Sequence, residues 1–273
     1  MKIFKLAIIT GVFALTSVCS VSAQPTKVSV YQELSAEQQA VFVQEQLRRI
    51  AREMSGRDYE FTPEFAALVQ KSVDRYARRV GNGRNDPLGR ADVRFIIERG
   101  QKHAPAIARS FKARNVSPLI GLYIPFIESE FVNIASPNAM GATGMFQFLP
   151  ATGSRYGLSI EDLLDVEKSA DAAARYILDS VELFKSDSMS EALALLSYNR
   201  GGGKVVQDLQ LVLNAQNRDC SVCALTASSD RLDRTFREES VYYVPLFFAA
   251  AIVGENPRAF GLRSQPLSWY GGQ

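Results

Sequence analysis

Ser117-Pro118-Leu119-Ile120-Gly121-Leu122-Tyr123-Ile124-Pro125-Phe126-Ile127-Glu128 reads as a helix with almost no polar face. Proline just inside the start suits a first helical turn, where its missing N–H costs nothing. A helix that is apolar all round belongs inside a protein or a membrane. This one is far shorter than the roughly 20 residues that cross a bilayer, so it must be wrapped by other elements of the same chain. It ends on a carboxylate. A carboxyl group at the end of a buried apolar helix loses hydration, which disfavours its charged form and raises its pKa. The negative end of the helix dipole acts in the same direction. Glu128 is therefore the first candidate for a proton-donating acid.

Working outward, the segments able to wrap this helix also carry helical punctuation. Ser35 with Gln38 has the form of a capping box, followed by Val43, Leu47, Ile50, Ala51 and Met54 at helical spacing up to Gly56. Thr62-Pro63 opens a second helix whose stripe runs through Phe65, Val69, Val73 and Tyr76 to a stop at Gly81. The stretch 81–89 is rich in Gly, Asn, Asp and Pro and reads as a loop. Two short helices are expected next, over 90–102 and 105–114, separated by Pro105. Later helices are expected over 168–184, 190–198, 204–215 and 237–253. Val244–Val253 is about half a membrane span and reads as a buried core helix. No period-2 strand runs occur, apart from a short extended piece near 144–148. The fold class is all-α.

Export is expected from the first residues. Lys2 and Lys5 precede an apolar run from Leu6 to Val18, and Val21-Ser22-Ala23 offers a small-x-small cleavage site before Gln24. This is the order of a secretory signal peptide over 1–23, pointing to a periplasmic protein. Val18 stands where lipid attachment at Cys19 would want a small residue, so a lipid anchor is the weaker expectation. The chain has 31 basic and 29 acidic residues. Removal of the two signal lysines leaves 29 of each, and such balance excludes a nucleic-acid surface, which needs a basic excess. His103 is the single histidine, so a His-based metal cluster is excluded and no cofactor is expected. Gly201-Gly202-Gly203 lacks the context of a phosphate loop and reads as a helix stop. In an oxidising compartment, the Cys220-x-x-Cys223 spacing suggests a local disulfide.

After Glu128 comes a long irregular connection, 131–148, of the kind that is usually functional in a compact domain. It delivers Gln147, and Ser197-Tyr198-Asn199 closes a helix farther on. Amide, phenol and hydroxyl groups around an isolated carboxylate would make a polar cleft suited to sugar.

Three stretches resemble, in order and spacing, the signature motifs of the lytic transglycosylases with an SLT-type domain. They are Ile127-Glu128-Ser129-Glu130-Phe131, Gly141-Ala142-x-Gly144-Met145-Phe146-Gln147-x-x-Pro150 and Ser197-Tyr198-Asn199. Further stretches resemble the membrane-bound lytic transglycosylase D branch: Leu122-Tyr123-Ile124-Pro125-Phe126, Tyr156-Gly157-Leu158, Ser169-Ala170-x-Ala172-Ala173 and Glu239-Ser240-x-x-Tyr243-x-Pro245. The resemblance implies a lysozyme-like catalytic domain over 90–273, preceded by a helical N-terminal region over 24–89. It implies cleavage of the β-1,4 bond between N-acetylmuramic acid and N-acetylglucosamine, with Glu128 acting as acid and then as base toward the C6 hydroxyl. Ser136, Phe146, Gln147, Tyr198 and Asn199 are the implied sugar-binding residues, and Glu239 and Tyr243 the implied late motif closing the cleft. Many glycosidases use two carboxylates, but a substrate acetamido group can replace one. The stretch 131–160 contains no Asp or Glu, consistent with that scheme.

Two departures bear on specificity. Ser197 replaces the usual alanine, and Arg200 follows Asn199 where a small residue is common, so Arg200 is expected to narrow the cleft or grip a peptide-stem carboxylate. No LysM-like repeat follows Leu262; wall targeting is expected from 24–89 or from an envelope protein partner. The rival readings are a hydrolytic muramidase of the same fold and a non-enzymatic peptidoglycan-binding scaffold of an envelope machine.

Overall fold

The computed structural model describes residues 30–86, 89–213 and 218–273. The expected signal peptide and its cleavage site lie outside the described residues. Twelve α-helices are described: α1 (Ala36–Ser55), α2 (Pro63–Ala77), α3 (Val93–Ala113), α4 (Pro118–Glu128), α5 (Pro150–Arg155), α6 (Val166–Leu183), α7 (Ser190–Arg200), α8 (Gly202–Val212), α9 (Ser221–Ala227), α10 (Arg234–Glu238), α11 (Tyr243–Glu255) and α12 (Leu267–Gly271). The only β pairing among the described residues is a single bridge between Thr143 and Phe148, so the all-α expectation holds.

Local chemistry accounts for most boundaries. Ser35 Oγ accepts from Gln38 N while the Gln38 side chain accepts from Ser35 N, and Gly56 closes α1 in the left-handed region at φ 71°. Thr62 caps α2 by accepting from Phe65 N.

Two expectations are corrected. The segments 90–102 and 105–114 form one helix, α3, with Pro105 inside it. Proline removes one helical hydrogen bond. Yet Ile96, Ile97, Gly100, Ala104, Ile107, Ala108 and Phe111 keep a single buried stripe across it, and packing along that stripe outweighs the local break. Conversely, the helix expected over 237–253 divides into α10, a short 3-10 turn at Ser240–Tyr242, and α11. The division places Pro245 in the first turn of α11, where its missing N–H is harmless.

The core is built around α4. Leu122, Tyr123, Ile124 and Phe126 are fully buried, against α3 on one side and α11 on another. Gly121 lets α3 come close: a Cβ there would lie 2.4 Å from the Phe111 ring. Helix α11 is buried over nearly its whole length, as expected for a core helix. No helix among the described residues is long and apolar enough to cross a membrane. Each of its large side chains, Phe247, Phe248 and Ile252, contributes about 1.5–3 kcal/mol by burial. Helix α2 packs along α11, with Phe61 and Phe65 stacked at 5.1 Å and Phe61 edge-on to Phe248 at 5.3 Å. Tyr76 of α2 also meets Phe126 of α4 edge-on at 5.5 Å. Helices α1 and α2 therefore share one core with the elements that follow 89. Cys220 and Cys223 are joined by a disulfide.

Candidate active site

Glu128 is the last residue of α4, and the backbone beyond it turns sharply. Pro125 O accepts from Ser129 N at 3.1 Å, Phe131 N at 3.2 Å and Ser129 Oγ at 3.2 Å, so one carbonyl gathers the donors that end the helix. Ser129 Oγ also donates to Met145 O at 2.7 Å, tying the helix end to the 131–148 connection. Glu130 and Phe131 both take left-handed backbone angles, φ 52° and 59°. Residues with a Cβ adopt that conformation only where the surroundings enforce it, and those surroundings are explicit. Arg79, in the turn just past α2, pairs with Glu130 Oε1, Gly89 N donates to the same oxygen at 2.9 Å, and Arg99 Nε of α3 donates to Glu130 O at 2.8 Å.

Glu128 and Glu130, one residue apart, thus have opposite environments. Glu130 is held by arginines, whereas Glu128 forms no ion pair among the described residues. Its one hydrogen bond comes from Tyr243 Oη, which donates to Oε1 at 2.7 Å. Glu128 opens into a pocket of about 350 Å³ lined by Tyr76, Phe126, Ile127 and Leu246 and also by Arg75, Arg79 and Glu130. Burial pushes its pKa up to about 7, with the Tyr243 hydrogen bond acting weakly in the opposite direction. Glu128 as a whole residue is only partly buried and lines the pocket, as a group that must meet a ligand requires.

Beside it runs a larger cleft of about 660 Å³, lined among others by Gln147, Tyr198, Asn199, Glu239 and Ser240. Its aromatic wall is formed by Tyr176, Tyr198 and Phe148: Tyr176 meets Tyr198 at 5.4 Å and Tyr198 meets Phe148 at 5.7 Å, and Tyr156, outside the lining, extends this ladder at 5.8 Å from Tyr176. Tyr198 Oη donates to Phe146 O at 2.9 Å. The Tyr198 and Tyr243 phenols are raised well above their ordinary value, first by burial and then by the nearby Glu128 charge. Both therefore remain proton donors.

The fold brings together Glu128, Gln147, Tyr198, Asn199, Glu239 and Tyr243. Two expected members stand elsewhere. Phe146 is wholly buried and offers its carbonyl to Tyr198, so its ring is core and not a sugar platform. Ser136 lies exposed in the connection and lines neither cavity. Arg200 is corrected as well. Its side chain is 4% exposed, paired with Asp208 and doubly bonded to Asp233 at 2.9 and 3.1 Å. With its donors committed, it braces the cleft wall and cannot grip a substrate carboxylate.

Other contributors were not singled out from sequence. Ser240 Oγ donates to Asn199 Oδ1 at 2.7 Å, joining α7 to the turn before α11. Tyr176 donates to Ser197 O at 2.6 Å and lines the cleft. The one sequence signal for Tyr176 was a large aromatic next to an alanine-rich buried stripe. Arg79 and Arg99, which hold Glu130, gave no signal, because their meeting with it depends on how α2, α3 and α4 pack. The described residues contain no cluster of His, Cys, Asp and Glu able to hold a metal ion.

Against known proteins, residues 105–219 match the family model described as the Transglycosylase SLT domain. Membrane-bound lytic murein transglycosylase D of Escherichia coli strain K12 is 28% identical over 172 residues, covering 62% of this chain and 35% of the relative. The protein of the same name from Escherichia coli O6:H1 strain CFT073 aligns with the same figures. The chain thus spans about a third of the length of these curated relatives. The X-ray structure of an inactive mutant of lytic transglycosylase Slt from Pseudomonas aeruginosa superposes with a TM-score of 0.48 at 20% identity, covering 82% of this chain and 34% of that one.

Proposed function

We propose that the chain, whose residues 105–219 match the transglycosylase SLT domain model, is a peptidoglycan lytic transglycosylase of the cell envelope with Glu128 as its single acid–base group. The observation that carries this reading is the buried Glu128 carboxyl, which has no ion pair among the described residues and has its pKa raised to about 7. A group of that kind is protonated near neutral pH and can still release its proton, which is the requirement for a general acid whose conjugate base must then act. Glu128 protonates the leaving glycosidic oxygen between N-acetylmuramic acid and N-acetylglucosamine, and the C1–O bond breaks. The carboxylate so formed takes the proton from the C6 hydroxyl as that oxygen bonds to C1. The product is a 1,6-anhydro end, and no water is consumed.

The surrounding groups support the same chemistry. Tyr243 holds one Glu128 oxygen, leaving the other for the substrate. Gln147, Tyr198 and Asn199 present amide and phenol groups along the cleft, and the aromatic ladder offers faces for sugar rings. Asp233, also in the cleft wall, is occupied by Arg200. A signal sequence over 1–23, a catalytic region over 90–273 and a periplasmic site of action remain part of this proposal, as does Ser136 as an outlying sugar contact.

Glu239 favours one alternative. It lines the cleft without a side-chain partner among the described residues, and a hydrolytic muramidase would need such a carboxylate to activate water. The test is mass spectrometry of muropeptides released from purified sacculi, comparing the unsubstituted protein, Glu128→Gln and Glu239→Gln. Products about 18 Da lighter than hydrolytic ones, lost in Glu128→Gln and retained in Glu239→Gln, are expected. Reducing-end products that disappear with Glu239→Gln would transfer the assignment to hydrolysis. Binding to sacculi without release would leave a scaffold.

A further inference from the structure

Helix α2 and its C-cap carry Lys71, Arg75 and Arg78 on one exposed face. None of the three has an ion-pair or hydrogen-bond partner among the described residues. Some surface arginines are matched, as in Arg49–Glu53 and Arg234–Glu238, and others are not; what sets these three apart is that they share one groove. Like charges three and four residues apart on a helix repel one another, so this face carries an uncompensated cost. The three cations line a groove of about 220 Å³ closed on its far side by Tyr242, which is 47% exposed. Arg75 also lines the pocket into which Glu128 opens. Tyr242 and Leu246 stand one helical turn apart across the same seam, Tyr242 facing the groove and Leu246 the pocket.

We infer that this seam between α2 and α11 is a binding site for the carboxylates of the peptide stem borne by the muramic residue of the substrate. The inference rests on the peptidoglycan reading above, which supplies an anionic stem close to the bond that Glu128 attacks. The site is concave, continuous with the Glu128 pocket and formed on α2, outside the segment that matches the SLT domain. A flat membrane surface would not need a groove shared with the acid.

The experiment measures binding of the inactive Glu128→Gln protein to soluble glycan strands bearing their stems and to strands stripped of stems by an amidase. It is repeated with Lys71→Glu/Arg78→Glu added, with the milder Lys71→Gln/Arg78→Gln pair, and with the charge-matched surface control Lys102→Glu/Lys112→Glu. The parent should prefer stem-bearing strands, and the Lys71/Arg78 substitutions should lower that preference roughly tenfold, as for a few partly screened ion pairs. The control pair should keep it. Equal binding of both strands by the parent overturns the site, as does a preference that survives the Lys71/Arg78 substitutions. Loss of binding to phosphatidylglycerol vesicles, with the strand preference intact, would assign the face to membrane and also overturn it. Thermal melts show whether each variant is folded. Failure of the catalytic reading appears separately, as the absence of anhydro products from the unsubstituted protein.

Discussion

The Tyr243 hydroxyl lies 2.7 Å from Glu128 Oε1 and donates to it, joining the first turn of α11 to the last residue of α4. This bond favours the charged carboxylate, while burial favours the neutral acid and prevails. Tyr243 therefore moderates the acidity of Glu128 as well as fixing its orientation.

Replacing Tyr243 by Phe should raise the Glu128 pKa beyond about 7, since it removes the one group stabilising the charge. If protonated Glu128 starts the reaction, turnover of the unsubstituted protein falls as pH rises through about 7. In Tyr243→Phe that alkaline limb should move upward, with kcat reduced about 10- to 100-fold by the loss of orientation. An unchanged limb would show that some other group governs the profile.

The same burial makes stability depend on pH. The folded-state pKa of Glu128 lies above its ordinary value of 4.5, so protonation favours the folded form. The destabilisation is absent below about pH 4.5 and complete above about pH 7. Glu128→Gln should therefore be more stable than the parent at pH 8 by about 1–2 kcal/mol, allowing for the partial exposure of the residue. The difference should vanish at pH 4, as denaturant titration at the two pH values would reveal.

Arg79→Ala should be costly in a different way. The pair with Glu130 is 12% and 5% exposed, and removal of one partner from such a pair costs about 3–5 kcal/mol. The Glu130 turn should loosen as well, so activity should fall further than stability alone accounts for. Adding Glu130→Gln to Arg79→Ala should recover part of the stability, because it removes a buried charge then left with only the longer 3.7 Å ion pairing to Arg99. A double-mutant cycle by thermal unfolding reads this directly.

Gly144→Ala tests the connection after Glu128. Gly144 has φ 78°, and a Cβ there would lie 2.0 Å from Leu163 O. Neither the strain nor the backbone clash can be relieved by rotating a side chain. We expect destabilisation of about 2–4 kcal/mol and loss of strand cleavage, since Gln147 and the Ser129–Met145 link depend on this loop. A folded, fully active Gly144→Ala protein would mean that the loop does not set the site.

Much of the fold was legible because its signals are local. The capping box at Ser35, the Thr62-Pro63 start of α2 and the buried character of α4 and α11 each follow from neighbouring residues. Glu128 was legible for the same reason, as a carboxylate where an apolar helix stops. The misreadings all involve competition with distant parts of the chain. Pro105 marks a helix end locally, yet the stripe on either side of it packs as one. Phe146 stands beside Gln147 in a motif, yet in the turn closed by the Thr143–Phe148 bridge, where Gln147 takes a left-handed φ of 50°, the first is buried in the core and the second lines the cleft. Arg200 was read as available because Asp208 and Asp233 are remote or unremarkable in sequence.

By itself the sequence determined an all-helical chain with one candidate acid at the end of a buried helix, because periodicity, capping and desolvation are short-range effects. The tertiary structure alone decided that Tyr243 would hold that acid, that Arg79 and Arg99 would neutralise Glu130 but leave Glu128 without a cation, and that Arg200 would be spent on the cleft wall. Electrostatics at a site depend on distances between groups, and those distances are set when α2, α3, α7 and α11 pack around α4.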